Sequence, residues 1–366
     1  MAQTPVTILT GFLGSGKSTL LNRALRDPAL ARTAVVINEF GEISLDHALV
    51  TSSNDTILVL ENGCLCCTVF GDLVATLNRL YHAREASEIP PFDHVVIETS
   101  GLADPTPVIQ AFLSDPTLAG LYRVGAVIAM VDAVNGPQTL DRHIESVRQV
   151  ALADHILLTK LDLLEPERAA LAQAALTERV HRLNPAARIL RVNDVDAATH
   201  LRKRDLDPTD PNVDARAWIN ATAYAEPPIR AHTNHPHENH EHADHGHHHP
   251  HDRDIASFCF IRERPIPREA LRFLLEALQH NLGPNLLRVK GLIHVAEEPD
   301  RPAVIQGAQQ LLHTLSWLDR WPDEDRRSKI VFITEGFERA EVEDMIALLD
   351  RVATRTAAAR TRAQME

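Results

Sequence analysis

Gly11-Phe12-Leu13-Gly14-Ser15-Gly16-Lys17-Ser18 follows the apolar run Val6–Thr10 and opens a stretch carrying Leu20, Leu21 and Leu25. The octapeptide fits G-x-x-x-x-G-K-[ST], and a strand before it with a helix after it is the context that pattern requires. Glycines let the backbone turn tightly enough for its N–H groups to converge on phosphate oxygens, and the helix N-terminus adds partial positive charge. Gly11, Gly14, Ser15, Gly16, Lys17, Ser18 and Thr19 are therefore the expected phosphate cradle. Lys17 is expected at the β/γ-phosphates and Ser18 on a Mg²⁺ ion. A glycine-rich turn with an exposed lysine is the bland alternative.

Outward from this loop, short apolar runs alternate with helical patterns. Strands are expected at Val6–Thr10, Ala34–Asn38, Thr56–Leu60, His94–Glu98, Ala126–Asp132, His155–Thr159 and Arg188–Val192, with helices such as Lys17–Arg26 and Pro166–Leu183 between them. This alternation predicts an α/β fold, a P-loop NTPase domain with a mostly parallel sheet whose ligand loops gather at the carboxyl ends of its strands. Order fades after about residue 200. Arg202–Pro211 is charged and proline-containing, and His232–His251 holds ten of the chain's 20 histidines. That composition cannot bury a core and reads as a flexible linker or insertion. From Ile255 a smaller α+β domain is expected, with strands at Ser257–Ile261, Leu286–Val295, Ala303–Ile305 and Lys329–Thr334 and helices at Pro267–His280 and Glu338–Thr354. The expected organisation is thus a P-loop domain over 1–225, a histidine-rich linker over 226–254 and a C-terminal domain over 255–356. No internal repeat is evident.

Two further stretches belong with the phosphate loop. The run His94–Glu98 ends in an acid followed by Thr99-Ser100-Gly101. An acid at the end of a buried strand beside a P-loop can orient Mg²⁺, its waters or an attacking water. Thr159-Lys160-Leu161-Asp162 resembles the Asn-Lys-x-Asp guanine motif with Thr in place of Asn. Asp162 can accept from both N1–H and N2–H₂ of guanine, a pair adenine does not offer, and the Lys160 stem can cover the base. A helix-capping role for Asp162 is the alternative. Intrinsic hydrolysis is expected to be slow, because no arginine finger or water-positioning glutamine can be identified.

Asn38-Glu39-Phe40-Gly41-Glu42-Ile43-Ser44-Leu45-Asp46 and Glu61-Asn62-Gly63-Cys64-Leu65-Cys66-Cys67 lie between these motifs. Glu42, with Glu39 and Asp46, stands where a nucleotide-sensitive switch would lie. These acids could position water or approach a metal, or simply solvate a loop. Thiolates at Cys64, Cys66 and Cys67 are soft ligands that favour Zn²⁺ or Cu⁺ over Mg²⁺, and three of them leave a position open for transfer. Buried small side chains or a redox pair are the alternatives, and Cys259, alone in a strand pattern, reads as core. His240, His242, His245, His247 and His249 are weaker, auxiliary metal ligands, or part of a solvated tract.

Taken together, these motifs resemble the CobW-like family of GTPases, related to the nickel-insertion GTPases of urease and hydrogenase maturation. Arg288-Val289-Lys290-Gly291 and Ile305-Gln306-Gly307 are similar to that family's C-terminal module. The resemblance implies GTP hydrolysis to GDP and phosphate coupled to metal delivery, with the Cys-x-Cys-Cys motif as a metal site and Lys17, Glu42 and Glu98 as the catalytic candidates. Zinc is the first choice of metal from ligand softness and abundance, with cobalt open by family analogy, and the recipient would be a client metalloprotein. A P-loop small-molecule kinase and a nucleotide-binding metal buffer are the competing readings.

Lys+Arg 37 against Asp+Glu 50 gives a net charge of -13. This argues against a nucleic-acid surface and suits attraction of cations. No run approaches the roughly 20 apolar residues of a membrane span, and Met1–Pro5 does not open a secretory signal. A cytoplasmic protein is expected. Monomer or homodimer is left open.

Overall fold

The computed structural model describes residues 3–38, 57–60, 68–202, 214–224, 255–308, 311–312, 315–348 and 351. Among these, β1 (Thr4–Gly11), β2 (Thr33–Asn38), β3 (Ile57–Leu60), β4 (His94–Thr99), β5 (Tyr122–Asp132), β6 (His155–Thr159) and β7 (Arg188–Arg191) form one sheet in the order β3-β2-β4-β1-β5-β6-β7. Every pairing is parallel. Successive side chains of a strand point to opposite faces, so a strand covered on both sides reads as a continuous apolar run. Val6 and Ile8 of β1, Val95 and Ile97 of β4, and Ile156 and Leu158 of β6 join one core. Their neighbours Leu9, Val96 and Leu157 join the core on the other face.

The first face is covered by the helices Thr68–Glu85, Thr106–Ser114, Ile144–Leu152 and Pro166–Leu183, which contribute Leu77, Phe112, Val147 and Val180. The second is covered by Lys17–Ala24 and Ala197–Leu201, through Leu20, Leu21 and Leu201. The helix Pro166–Leu183 has the bounds its periodicity predicts. β5 begins earlier than its apolar run, at Tyr122, because Thr4 and Pro5 of β1 pair with Tyr122 and Arg123.

β8 (Ile255–Arg262), β9 (Leu286–Ile293), β10 (Ala303–Ala308), β11 (Leu311–Leu312), β12 (Ser316–Trp317) and β13 (Ser328–Glu335) form a second, antiparallel sheet. Its order is β11-β10-β9-β13-β8, with β12 paired to β10. One face carries the helix Arg268–Leu282 and the helix over residues 339–348, whose Leu271, Leu278, Val342 and Ile346 meet Phe258, Val289 and Phe332. The other face is covered by residues 214–224, through Trp218, Ile219 and Tyr224 against Cys259, Leu292 and Val331. These residues precede the histidine tract in the chain, yet they pack on the sheet that follows it. Burial there pushes the Cys259 thiol up to about 11, in keeping with a core position.

The two sheets are joined by packing and charge. Ile255, Leu287, Ala308 and Ile333 of the second sheet enter the core that holds Leu152 and Leu183. At the start of β6, Asp154 accepts from the Val127 N–H at 2.9 Å and from Arg288 Nη2 at 2.6 Å, and it also pairs with Lys290. Arg288 and Lys290 are the two cations of the Arg-Val-Lys-Gly stretch, which is therefore an inter-sheet contact.

Candidate nucleotide site

β1 ends at Gly11 and the next helix opens at Lys17. Gly16 caps that helix at φ 98°, a left-handed conformation natural to glycine, and no side chain caps the first turn. The N–H groups of that turn consequently face outward for an anion. Lys17 is buried, with Nζ donating to Gly11 O at 2.8 Å and Phe12 O at 3.4 Å, so the ammonium lies over the loop itself. Gly14 and Thr19 are exposed along the loop and first turn. Ser15 is different: its side chain is buried and its N–H closes a turn onto Phe12 O at 3.1 Å.

β4 runs beside β1 with Glu98 opposite Leu9, which carries Glu98 to the phosphate loop. There the Ser18 hydroxyl donates to Glu98 Oε1 at 2.8 Å. A hydroxyl and a carboxylate at this separation are hard oxygen donors of the kind Mg²⁺ takes. Thr99 Oγ1 donates to Thr10 Oγ1 at 2.8 Å and locks the two strand ends together. Beyond them, a Cβ on Gly101 would stand 2.6 Å from the Leu13 backbone nitrogen, so only glycine lets this loop lie on the phosphate loop. Gln149 Nε2 holds the same loop, donating to Gly101 O at 3.3 Å and Ala103 O at 3.0 Å. Its neighbour Arg148 bridges Asp104 at 3.2 Å and Glu335 of β13 at 2.8 Å.

β6 ends in the guanine-motif candidate. Thr159 Oγ1 donates to Ser15 O at 2.8 Å, so the residue that departs from the usual Asn ties the base loop to the phosphate loop. Lys160 then turns the chain at φ 61°, and Asp162 stands exposed on the 3₁₀ turn Leu161–Leu163. Lys160 Nζ pairs with Asp132 Oδ2 at 2.6 Å. Burial raises the Asp132 pKa, but bonds from Lys160, Asn135 and the Val134 and Asn135 N–H groups outweigh it and hold the carboxyl below its ordinary value.

The structure thus gathers Lys17, Ser18 and Glu98 at one end of the sheet and sets Lys160 and Asp162 at the same carboxyl edge two strands away, in the order β1-β5-β6. Glu39, Glu42, Asp46, Cys64, Cys66, Cys67 and the histidines 240, 242, 245, 247 and 249 lie outside the described residues. Among the described residues no group of three or more His, Cys, Asp or Glu side chains could hold a metal ion. Nor is any of their helices long and apolar enough to cross a membrane. Sequence reasoning missed Asp132, Arg148 and Gln149. Asp132 carried a usable signal, since it ends an apolar run as Glu98 does. Arg148 and Gln149 sit on an amphipathic helix and carried none.

Residues 5–191 match the family described as "CobW/HypB/UreG, nucleotide-binding domain", and residues 255–349 match "Cobalamin synthesis protein cobW C-terminal domain". The zinc chaperone YjiA of Escherichia coli K12 is 33% identical over 331 residues, covering 90% of this chain and 93% of that protein. The zinc-regulated GTPase metalloprotein activator 1 of Schizosaccharomyces pombe is 33% identical over 193 residues, covering 51% of this chain and 45% of that protein. The crystal structure of Zn(II)-bound YjiA GTPase from E. coli superposes with a TM-score of 0.61 at 29% identity, covering 95% of this chain and 99% of that one. With a nucleotide-binding domain and a C-terminal domain both matched, this chain belongs to the CobW/HypB/UreG family of P-loop nucleotide-binding proteins.

Proposed function

We propose that the protein is a Mg²⁺-dependent GTPase that couples GTP binding and hydrolysis to the binding and delivery of zinc to a client metalloprotein. The observation that carries the reading is the Ser18–Glu98 contact of 2.8 Å beside Lys17. In this reading Lys17 and the first-turn N–H groups neutralise charge on the β/γ-phosphates. Ser18 and Glu98 would hold Mg²⁺, which supplies further charge neutralisation between those phosphates. Glu98 also orients water, Asp162 accepts from the guanine edge and the Lys160 stem covers the base. Zinc is the cargo. The reading is supported by relatives named zinc chaperones and by the soft thiols Cys64, Cys66 and Cys67. A γ-phosphate can order neighbouring loops that hydrolysis then releases, which would tie cargo affinity to nucleotide state.

The test has two measurements. Phosphate release is followed with GTP and with ATP, with Mg²⁺ present or chelated. Zinc is titrated against a competing chelator without nucleotide, with GDP and with a non-hydrolysable GTP analogue, with Cys66→Ala as control. Multiple turnover of GTP alone, together with a zinc affinity that differs between the nucleotide states by about 5- to 150-fold, is the expected result. Identical zinc affinity in all three states refutes coupled delivery, and an absence of turnover leaves a metal buffer with a bound nucleotide.

A further inference from the structure

We propose that Asp132 is a positioning residue for base selection: its Oδ2 tethers the Lys160 ammonium so that the Lys160 methylenes form a fixed wall for a guanine ring. The inference rests on the guanine reading of Lys160 and Asp162 and adds a residue that reading does not contain.

The geometry divides the carboxylate between two tasks. Oδ1 accepts from the Val134 N–H at 2.7 Å and the Asn135 N–H at 3.2 Å and so closes the turn after β5. Oδ2 accepts from Lys160 Nζ at 2.6 Å and from Asn135 Nδ2 at 3.0 Å. Oδ1 shapes its own loop, while Oδ2 takes the Asn135 side chain and also reaches across to Lys160. The Asp132 side chain is 10% exposed and that of Lys160 31%, so water screens the pair mainly from the lysine side. The backbones beneath are tied as well, through the Ala133 N–H donating to Thr159 O at 2.9 Å.

A lysine stem has four rotatable carbons and loses considerable rotamer freedom when it is ordered against a ligand. An ammonium already tethered at its tip has lost that freedom before the base arrives, which is preorganisation. Lys160 also leaves β6 at φ 61°, so its direction of departure is set by the turn. An acid serving only to close the turn would be satisfied by the Val134 and Asn135 donors. The 2.6 Å contact of Oδ2 with the lysine of the base motif is the feature a turn does not need.

The variant that separates the two tasks is Asp132→Asn. Its amide oxygen can still accept from the Val134 and Asn135 N–H groups, whereas its NH₂ can accept from neither Lys160 nor the Asn135 side chain, and the Lys160→Met comparison isolates the lysine. A second variant, Lys160→Met, keeps an apolar stem without the ammonium and alters a partly exposed side chain. Dissociation constants of GDP and ADP are measured for the unaltered chain, both variants and the double variant, with melting temperature as a parallel reading. Each single variant is expected to weaken GDP about tenfold with ADP nearly unchanged. The double variant is expected to lose no more than either alone. Wild-type GDP affinity in Asp132→Asn overturns the inference, as do additive losses in the double variant. If Asp132→Asn does not fold, wild-type GDP affinity in Lys160→Met overturns it. Equal GDP and ADP affinities in the unaltered chain would instead refute the guanine reading beneath it.

Discussion

Replacing Asp154 by alanine is expected to loosen the join between the two sheets. Its side chain is 5% exposed, and the cations it faces, Arg288 and Lys290, are 16% and 12% exposed. Removing one partner of a buried ionic cluster strands the others and costs about 3–5 kcal/mol. Here both cations retain some access to water, so the lower end, about 3 kcal/mol, applies. For a chain of 366 residues such a loss lowers the melting temperature by about 4 °C. Most of the penalty should come from the stranded charges and not from the missing carboxylate. The combined variant Asp154→Ala, Arg288→Met, Lys290→Met is therefore expected to recover at least half of it. Urea and thermal unfolding followed by circular dichroism provide the main measurement. Lys290 Nζ also lies 5.2 Å from the ring centroid of Trp218, one of three tryptophans, so indole fluorescence is a second reading. A loss below about 1 kcal/mol in Asp154→Ala, or a combined variant less stable than the single one, would mean that the ionic cluster does not hold the sheets together.

Lys17→Ala removes an ammonium that donates to Gly11 O and Phe12 O of its own loop, and should lower GTP turnover about 100-fold or more in a phosphate-release assay. Deleting His232–His251 should remove weakly held zinc while preserving nucleotide affinity, as measured by metal content after dialysis and by nucleotide titration. The two described positions nearest the tract, Tyr224 and Ile255, are both buried and remain in such a variant. Asp132 is held below the ordinary carboxylate value of 3.8, so its ionised form adds stability that is present above that value and lost as pH falls through the lower folded-state pKa. Asp132→Asn should show a flatter acid limb when melting temperature is plotted against pH.

The first sheet was legible because its physics is local. Val6 and Ile8 face one core and Leu9 the other, and a strand buried on both faces has little choice but to be apolar throughout. The phosphate loop was legible for a similar reason, since its glycines and Lys17 do their work within eight consecutive residues. Pairings between distant segments were not legible. Nothing near Asp154 announces Arg288, 134 residues away, and neither the apolar residues of 214–224 nor those of β8 say that they share a core. Lys160 and Asp162 could be named as a candidate base site, but Asp132 takes its place beside them from the β5–β6 pairing that sets it opposite Thr159. The roles of the thiols and of Glu42 stay expectations from sequence.

The hydroxyl of Thr159 on Ser15 O has a consequence for how a nucleotide would be gripped. A nucleotide is a bivalent ligand, with phosphates at one end and a base at the other. If the two half-sites moved independently, binding one end would do little to raise the local concentration of the other end at its own site. A hydrogen bond of 2.8 Å between the loops presets their spacing, so the second contact forms at a high effective concentration once the first is made. Guanosine alone and pyrophosphate alone should then bind feebly, and the linked molecule far more tightly than either fragment suggests. Thr159→Val, which keeps the shape and removes the bond, would lower this advantage of linkage while leaving each fragment's own affinity nearly intact.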